Sequence, residues 1–159
     1  MVKWIDAVKN GLKMLVNKDE YCYFYGAKGE KMDRETMERL YTAYPARYSG
    51  WTAEEKERLF DFCEGKIGYD CSGFVGALVC DMVYSGALIS HCPFKTTPTE
   101  GVGGSLLYKS GHIGIDIGYG YFLHMPSEFH SVEIGKIGEY DWTISGEHTN
   151  VDYTGASAE

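Results

Sequence analysis

The sequence predicts an α+β domain whose helices come first and whose antiparallel sheet comes second. Apolar residues recur at helical spacing before residue 84, whereas short strand-like runs crowd the chain after residue 100. Helices followed by neighbouring strands are typical of an antiparallel sheet. The 159 residues suffice for one domain with a buried core. We expect that domain over residues 1–149, followed by a tail or linker over residues 150–159.

Three helices are predicted in the first part of the chain. Apolar side chains at helical spacing mark the first, over residues 3–16. Asp33 is a suitable N-cap for the second, which must end before Pro45. Thr52 and Glu55 have the spacing of a capping box and so open a third helix.

A fourth helix, which carries little charge, is predicted after Asp70. This aspartate stands where an N-cap is expected. The apolar residues behind it are Phe74, Val75, Leu78, Val79, Met82 and Val83. A helix this apolar is expected to be central and buried, and Gly73 and Gly76 indicate close packing near its start.

Five strands are predicted in the second part of the chain. They are residues 105–109, 112–118, 121–125, 131–137 and 142–145. Gly118, Tyr119 and Gly120 supply a tight turn between the second and the third. These two strands should therefore pair as an antiparallel hairpin.

The composition excludes several classes of protein. A formal charge of −8 argues against binding to nucleic acid or to an anionic membrane surface. No apolar run is long enough to span a bilayer, and the first residues lack the apolar core of a signal peptide. The five cysteines are odd in number and none has zinc-site spacing, so neither a disulfide framework nor a metal or other cofactor is expected.

Cys71 is the candidate nucleophile. It lies in the first turn of the fourth helix, where free N–H groups and the helix dipole favour a thiolate, although Asp70 opposes ionisation. On the predicted hairpin, a reversal near residue 118 places His112 and His124 roughly opposite each other. One imidazole could then accept the thiol proton while the other orients it, as in a catalytic triad.

Three motifs resemble those of the NlpC/P60 family of cell-wall cysteine peptidases. The segment from Tyr69 to Val75, YDCSGFV, is similar to the family's nucleophile motif. The segment GHIGIDIG, residues 111–118, is similar to its histidine motif, and His124 falls at the position of its third polar residue. Together the motifs cover roughly residues 21–126, in the expected order.

The resemblance implies a papain-like α+β fold, with the cysteine helix packed on the antiparallel sheet. It also implies a peptidoglycan hydrolase that cleaves stem peptides through Cys71, His112 and His124. The bond between γ-D-glutamate and a diamino acid is the expected target. The alternative within the same fold is an N-acetylmuramoyl-L-alanine amidase.

The resemblance further assigns roles to three neighbouring residues. Tyr23, in an aromatic-glycine motif upstream of the cysteine, would help to hold the oxyanion or the substrate. Asp70 and Ser72 flank the nucleophile, at positions that contact the substrate's free amine in relatives. Asp70 could instead act only as a helix cap.

Two departures from the family pattern concern specificity. More than forty residues separate Gly26 from Asp70, which is longer than in relatives. We interpret residues 27–69 as a helical insert, which could form one wall of the groove. Before the histidine strand, Gly104 is followed by Ser105 and not by the family's aspartate. The reaction class does not depend on either difference.

Three other functions are compatible with these residues. A decayed scaffold could serve as a non-catalytic wall-binding module, and a related fold could carry an acyltransferase. A metal hydrolase would need His91, Cys92, His112 and His124 to meet, which their spacing disfavours.

The expected partner is a peptidoglycan stem peptide, bound by a monomer that could be joined to a wall-binding module. Its substrate lies at the cell wall. A phage-type lysin delivered by another protein, another route of export, or a fragment that lacks its leader would each account for a chain without an export signal.

Overall fold

The computed structural model describes residues 1–157, which form five α-helices. They are α1 (Trp4–Val16), α2 (Arg34–Ala43), α3 (Ala53–Cys63), α4 (Cys71–Val79) and α5 (Ser85–Ser90). None of these helices is both long and apolar enough to cross a membrane.

The same residues form eleven short strands in three sheets. They are β1 (Val2–Lys3), β2 (Tyr21–Tyr23), β3 (Lys28–Lys31), β4 (Ile67–Tyr69), β5 (Phe94–Thr96), β6 (Leu106–Lys109), β7 (His112–Gly118), β8 (Tyr121–His124), β9 (Glu133–Lys136), β10 (Ile144–Glu147) and β11 (Val151–Asp152). The main sheet is antiparallel in the order β5-β10-β6-β7-β8-β9. The second sheet has the order β2-β4-β3, and β1 pairs with β11.

The predicted caps define where the helices begin. The Asp33 carboxylate accepts the Thr36 N–H at 2.7 Å, so α2 starts directly after it. Thr52 and Glu55 form the reciprocal bonds of a capping box at the start of α3. Asp70 accepts the Gly73 N–H at 2.7 Å at the start of α4. All three expected helix starts are confirmed.

Helix α4 is shorter than its apolar pattern suggests. Cys80 has a left-handed backbone with φ 57°, which ends the helix, so Met82 and Val83 lie in the following loop. The Asp81 N–H then bonds to the Gly76 carbonyl, and a Cβ on Gly76 would stand 2.6 Å from the Asp81 carbonyl oxygen. Gly76 thus allows the chain to fold back tightly over the end of the helix.

The main core lies between α4 and the six-stranded sheet. Fully buried side chains from the helix, Phe74, Val75 and Val79, join those of β7 and β8 in one apolar cluster. Helix α1 covers the same face of the sheet. A Cβ added to Gly11 of this helix would lie 3.0 Å from Leu123 Cδ1, so the helix packs closely there. The expected packing of the helix that begins at Cys71 on an antiparallel sheet is confirmed.

Residues 27–69 contain the two expected helices and, in addition, β3 and β4. Helices α2 and α3 close over a second apolar cluster, and its buried members include Phe24, Met32, Met37, Leu40, Leu59 and Phe60. The segment is therefore a small helix-sheet layer with its own core, and not purely helical.

Residues 151–154, which the sequence analysis places in a tail, pack against the start of the domain. Strand β11 pairs in parallel with β1, through Val2 and Val151. The Trp4 indole N–H donates to the Thr154 carbonyl at 3.1 Å. The folded part therefore continues to about residue 154; residues 158–159 of the expected tail lie outside the described residues.

Candidate active site

Cys71 and His112 line one open cavity of about 630 Å³. Cys71 is the first residue of α4, and its partly exposed side chain faces this space. His112 is the first residue of β7, which lies directly against α4. The backbone N–H of Ile113 is near enough to the sulfur to lower the pKa of Cys71. The expected pairing of helix start and histidine strand is thus present.

His112 and His124 form a hydrogen-bonded pair. His112 Nε2 lies 2.7 Å from His124 Nδ1. The strands pair Ile115 with Leu123, and continuing that register places Gly114 across from His124. The two imidazoles are consequently diagonal neighbours and not direct partners, because the reversal is centred at residue 119 and not at residue 118.

An aromatic wall holds the two imidazoles. The Trp142 ring stacks on His112, with centroids 5.3 Å apart and planes 12° apart. Tyr140 packs edge-on against His124 at 5.4 Å. A Cβ on Gly114 would stand 3.0 Å from the Trp142 ring, so the missing side chain leaves that ring its place. The sequence pattern predicts Trp142 only as part of a strand over residues 142–145, without a role at the histidine pair.

Both imidazoles are neutral at neutral pH. Burial lowers the pKa of His112 to about 4 and, with a contribution from His112, the pKa of His124 to about 3. Since His112 Nε2 is engaged with His124, Nδ1 is the nitrogen left to accept a proton. This arrangement requires His112 to carry its proton on Nε2, which then donates to His124 Nδ1.

The thiol is also uncharged at rest. Burial is the main cause that raises the pKa of Cys71, and the Asp70 carboxylate adds to it. The backbone N–H groups of Ile113 and Ser72 and the Lys28 ammonium act in the opposite direction. The site therefore needs a base to form the thiolate, as the position of Asp70 in the sequence indicated.

Asp70 and Ser72, on either side of Cys71, are bound to a lysine from the same chain. Lys28 Nζ donates to Asp70 Oδ1 at 2.8 Å and to Ser72 Oγ at 2.8 Å. Asp70 also accepts the Gly26 N–H at 3.2 Å while it caps α4. Sequence analysis did not single out Lys28, because its place depends on how β3 pairs with β4.

Tyr23 lines the same cavity from β2. Its side chain is buried, and burial together with the nearby Cys71 raises the pKa of the phenol, so the O–H stays protonated. Arg47 Nη2 lies 3.5 Å from the phenol oxygen. Glu128 holds Arg47 in place through bonds of 2.7 and 2.9 Å. Tyr23 is thus a positioned donor at the cavity wall.

Further side chains of the cavity wall come from four regions of the chain. The insert contributes Tyr44, the loop after α4 contributes Tyr84, β6 contributes Lys109, and the segment between β9 and β10 contributes Tyr140. Tyr84 is largely exposed and Tyr44 is partly so. The groove therefore has aromatic rims that the motifs did not predict.

The four residues of the metal-hydrolase alternative do not meet. His91 bonds to Asp81 at 2.6 Å, and His148 bonds to the same carboxylate oxygen at 2.7 Å. Within residues 1–157, this trio is the sole group of at least three potential ligands within metal-binding distance. It does not include His112 or His124.

Comparisons with known proteins identify the fold. No protein-family model and no curated protein matches the chain. The NlpC/p60 domain of the peptidoglycan hydrolase SagA is 18% identical, with a TM-score of 0.55, over 92% of this chain and 99% of that domain.

Two structures from Trichomonas vaginalis share the same architecture. NlpC1 is 14% identical and NlpC2 13% identical, each with a TM-score of 0.52. They cover 89% and 92% of this chain, which spans 43% and 49% of theirs. The expected papain-like α+β fold of the NlpC/P60 type is confirmed.

Proposed function

We propose that this chain is a peptidoglycan hydrolase that uses Cys71 as nucleophile, His112 as base and His124 to orient it. The observation that carries the proposal is the cavity that holds Cys71 at the start of α4 beside the hydrogen-bonded imidazole pair. The fold supports it, since the SagA domain of similar structure belongs to a peptidoglycan hydrolase.

The first half of the reaction forms a thioester. His112 Nδ1 accepts the Cys71 proton as the sulfur attacks the scissile carbonyl carbon, and the carbonyl π electrons move to oxygen. The N–H of Cys71, which as the first helical residue has no intrahelical acceptor, and the Tyr23 O–H would donate to that oxyanion. As the oxyanion collapses, the C–N bond breaks and His112 protonates the leaving amine.

The second half releases the acid and restores the thiol. Water attacks the thioester carbon while His112 Nδ1 takes its proton. The C–S bond then breaks, and the proton returns to Cys71. His124 keeps Nε2 of His112 occupied throughout, so that Nδ1 remains directed to the reacting atoms.

The bond between γ-D-glutamate and a diamino acid is our proposed target, and the amidase bond between N-acetylmuramic acid and L-alanine is the second candidate. The motifs around Cys71 and His112 support the first choice by resemblance. We accordingly place the action of the protein at the cell wall, as a lysin-type enzyme.

Digestion of purified peptidoglycan with mass spectrometry of the fragments tests the proposal. We expect new amino and carboxyl ends at one peptide bond. Cys71→Ala should lower the rate by at least about 1,000-fold, because it removes the nucleophile. The matched control is Cys80→Ser, which changes the exposed cysteine at the other end of the same helix and should retain the rate.

Three results would contradict it. Full activity of Cys71→Ala would exclude the nucleophile, and wall binding without any cleavage would favour the non-catalytic module. Transfer of the acyl group to an added amine in preference to water would favour an acyltransferase. In a Cys80→Ser background, alkylation of Cys71 by iodoacetamide near neutral pH that is lost in His112→Ala would support the enzyme independently of any substrate.

A further inference from the structure

The Lys28 ammonium occupies a ready-made cation site next to the nucleophile. Its Nζ lies 2.8 Å from Asp70 Oδ1, 3.1 Å from Asp70 Oδ2 and 2.8 Å from Ser72 Oγ. An ammonium has three N–H donors, so these contacts use its full capacity. The two residues on either side of Cys71 are thereby saturated by the protein itself.

Close packing of β3 on α4 holds the lysine there. A Cβ on Gly73 would stand 2.6 Å from the Ala27 carbonyl and 3.3 Å from Lys28 Cδ. The Asp70 N–H also donates to the Ala27 carbonyl at 3.0 Å. The side chain of Lys28 is about one third exposed, at 32%, so the contact lies at the cavity surface and not in the core. Only a glycine at position 73 permits this approach.

Asp70 is the one carboxylate among the described residues that line the cavity. The other charged groups on its wall are cations, Arg47 and Lys109, each paired with an acid behind it. Because Lys28 forms an ion pair with Asp70, no carboxylate among the described residues of the wall is left to bind a cationic ligand. A protonated amine would have to displace Lys28 or enter without an ion pair.

We infer that Lys28 makes the groove select substrates without a free ammonium beside the scissile bond, such as stem peptides whose N-terminus is held in amide linkage. The inference rests on the proposed function. By resemblance, Asp70 and Ser72 would have contacted a free amine of the substrate; in this chain their partner is an internal lysine.

Charged thiol reagents test the site without any substrate. In a Cys80→Ser background, the rates at which Cys71 reacts with a trimethylammonium-ethyl and a sulfonato-ethyl methanethiosulfonate are measured. Lys28→Met should shift the ratio of cationic to anionic rates upward by about tenfold, because Asp70 loses its counterion. Taking the ratio cancels any change in thiol ionisation. The matched control Lys31→Met, on the exposed end of the same strand, should leave the ratio unchanged.

A second variant covers the case in which Lys28→Met fails to fold. Lys28→Gln keeps amide N–H donors for Asp70 and Ser72 but removes the charge, so it should shift the ratio in the same direction. An unchanged ratio in every folded Lys28 variant would overturn the inference.

Paired peptides then test the selection itself. The substrates are one stem peptide with a free L-alanine amine and the same peptide N-acetylated. The wild-type protein should favour the acetylated peptide in kcat/KM, and Lys28→Met should shift the preference about tenfold toward the free amine.

The outcomes separate the two proposals. Preference of the wild-type protein for the free amine would overturn the inference and leave the hydrolase intact. Cleavage of neither peptide, together with the expected shift in thiol reactivity, would count against the proposed function alone.

Discussion

At the scale of single residues, the charge state of His112 determines how activity depends on pH. Burial holds the pKa of this imidazole at about 4, so the base form persists well into acid. Activity should therefore be constant from neutral pH down to about pH 5 and fall as the pH passes through the pKa of His112. The profile of kcat/KM on a synthetic peptide measures this. Circular dichroism at each pH separates it from unfolding, and an acid limb near the ordinary imidazole pKa of about 6.5 would contradict it.

In the proposed mechanism His124 acts through His112, so its replacement should affect turnover more than binding. His124→Ala removes the partner at 2.7 Å and frees the ring to rotate, which should lower kcat about 100-fold with little change in KM. His124→Asn keeps an oxygen that can accept from Nε2 and should recover a large part of the loss. Equal losses in both variants, or a loss confined to KM, would show that His124 does not orient the base.

At the scale of elements, the contact between α4 and β3 depends on one glycine. Gly73→Ala would bring a Cβ within 2.6 Å of the Ala27 carbonyl, so the strand must move. We expect a loss of about 1–3 kcal/mol in the free energy of unfolding, measured by urea denaturation. Gly138→Ala is the control, since its Cβ would meet nothing within 4 Å, and it should be close to neutral.

The elements also show which local signals were sufficient. The starts of α2, α3 and α4 could be predicted from Asp33, Thr52 and Asp70. An N-cap contacts a residue only three positions later, so its pattern can be recognised in the sequence. The end of α4 was missed because Cys80 adopts a left-handed backbone that is uncommon for any residue except glycine. Strands β2, β3 and β4 are three or four residues long, too short for a periodic pattern.

The same contrast holds for the site. His112 and His124 could be paired from the sequence because a short hairpin connects them, although the residue opposite His124 is Gly114 and not His112. Lys28 and Trp142 could not, since each depends on contacts between distant parts of the chain, 42 residues apart for Lys28 and Asp70. Long-range side-chain partners therefore required coordinates, whereas the proximity of His112 and His124 did not.

At the scale of the whole molecule, Arg47 and Glu128 connect the insert to the loop that follows the histidine hairpin. The Glu128 side chain is only 9% exposed and bonds to Arg47 at 2.7 Å. Trp51 and Phe129 stack beside this pair, with ring planes 2° apart. The insert is thereby held beside the cavity, which Tyr44 and Arg47 line together with Tyr23.

Breaking this connection should loosen the insert without unfolding the main core. Glu128→Gln removes one charge of the pair and Arg47→Met removes the other. A double-mutant cycle of the two should give a coupling of about 1 kcal/mol, since Arg47 is partly exposed. Native-state hydrogen exchange should rise in α2 and α3 and stay unchanged in α4. Uniform exchange over all helices would mean that the insert and the core open together.

The parallel pairing of β1 with β11 brings the first and the last strand of the described residues together, which would allow the order of the strands in the sequence to be changed. Because Val2 and Val151 are register partners, the first and last strands begin side by side. A bridge of about five residues would be long enough to connect Asp152, at the end of β11, to Val2, given a reach of roughly 3.4 Å per residue. The polypeptide could then be reopened at the exposed Gly111 turn between β6 and β7, giving a circular permutant with the same strand pairings but a new starting point.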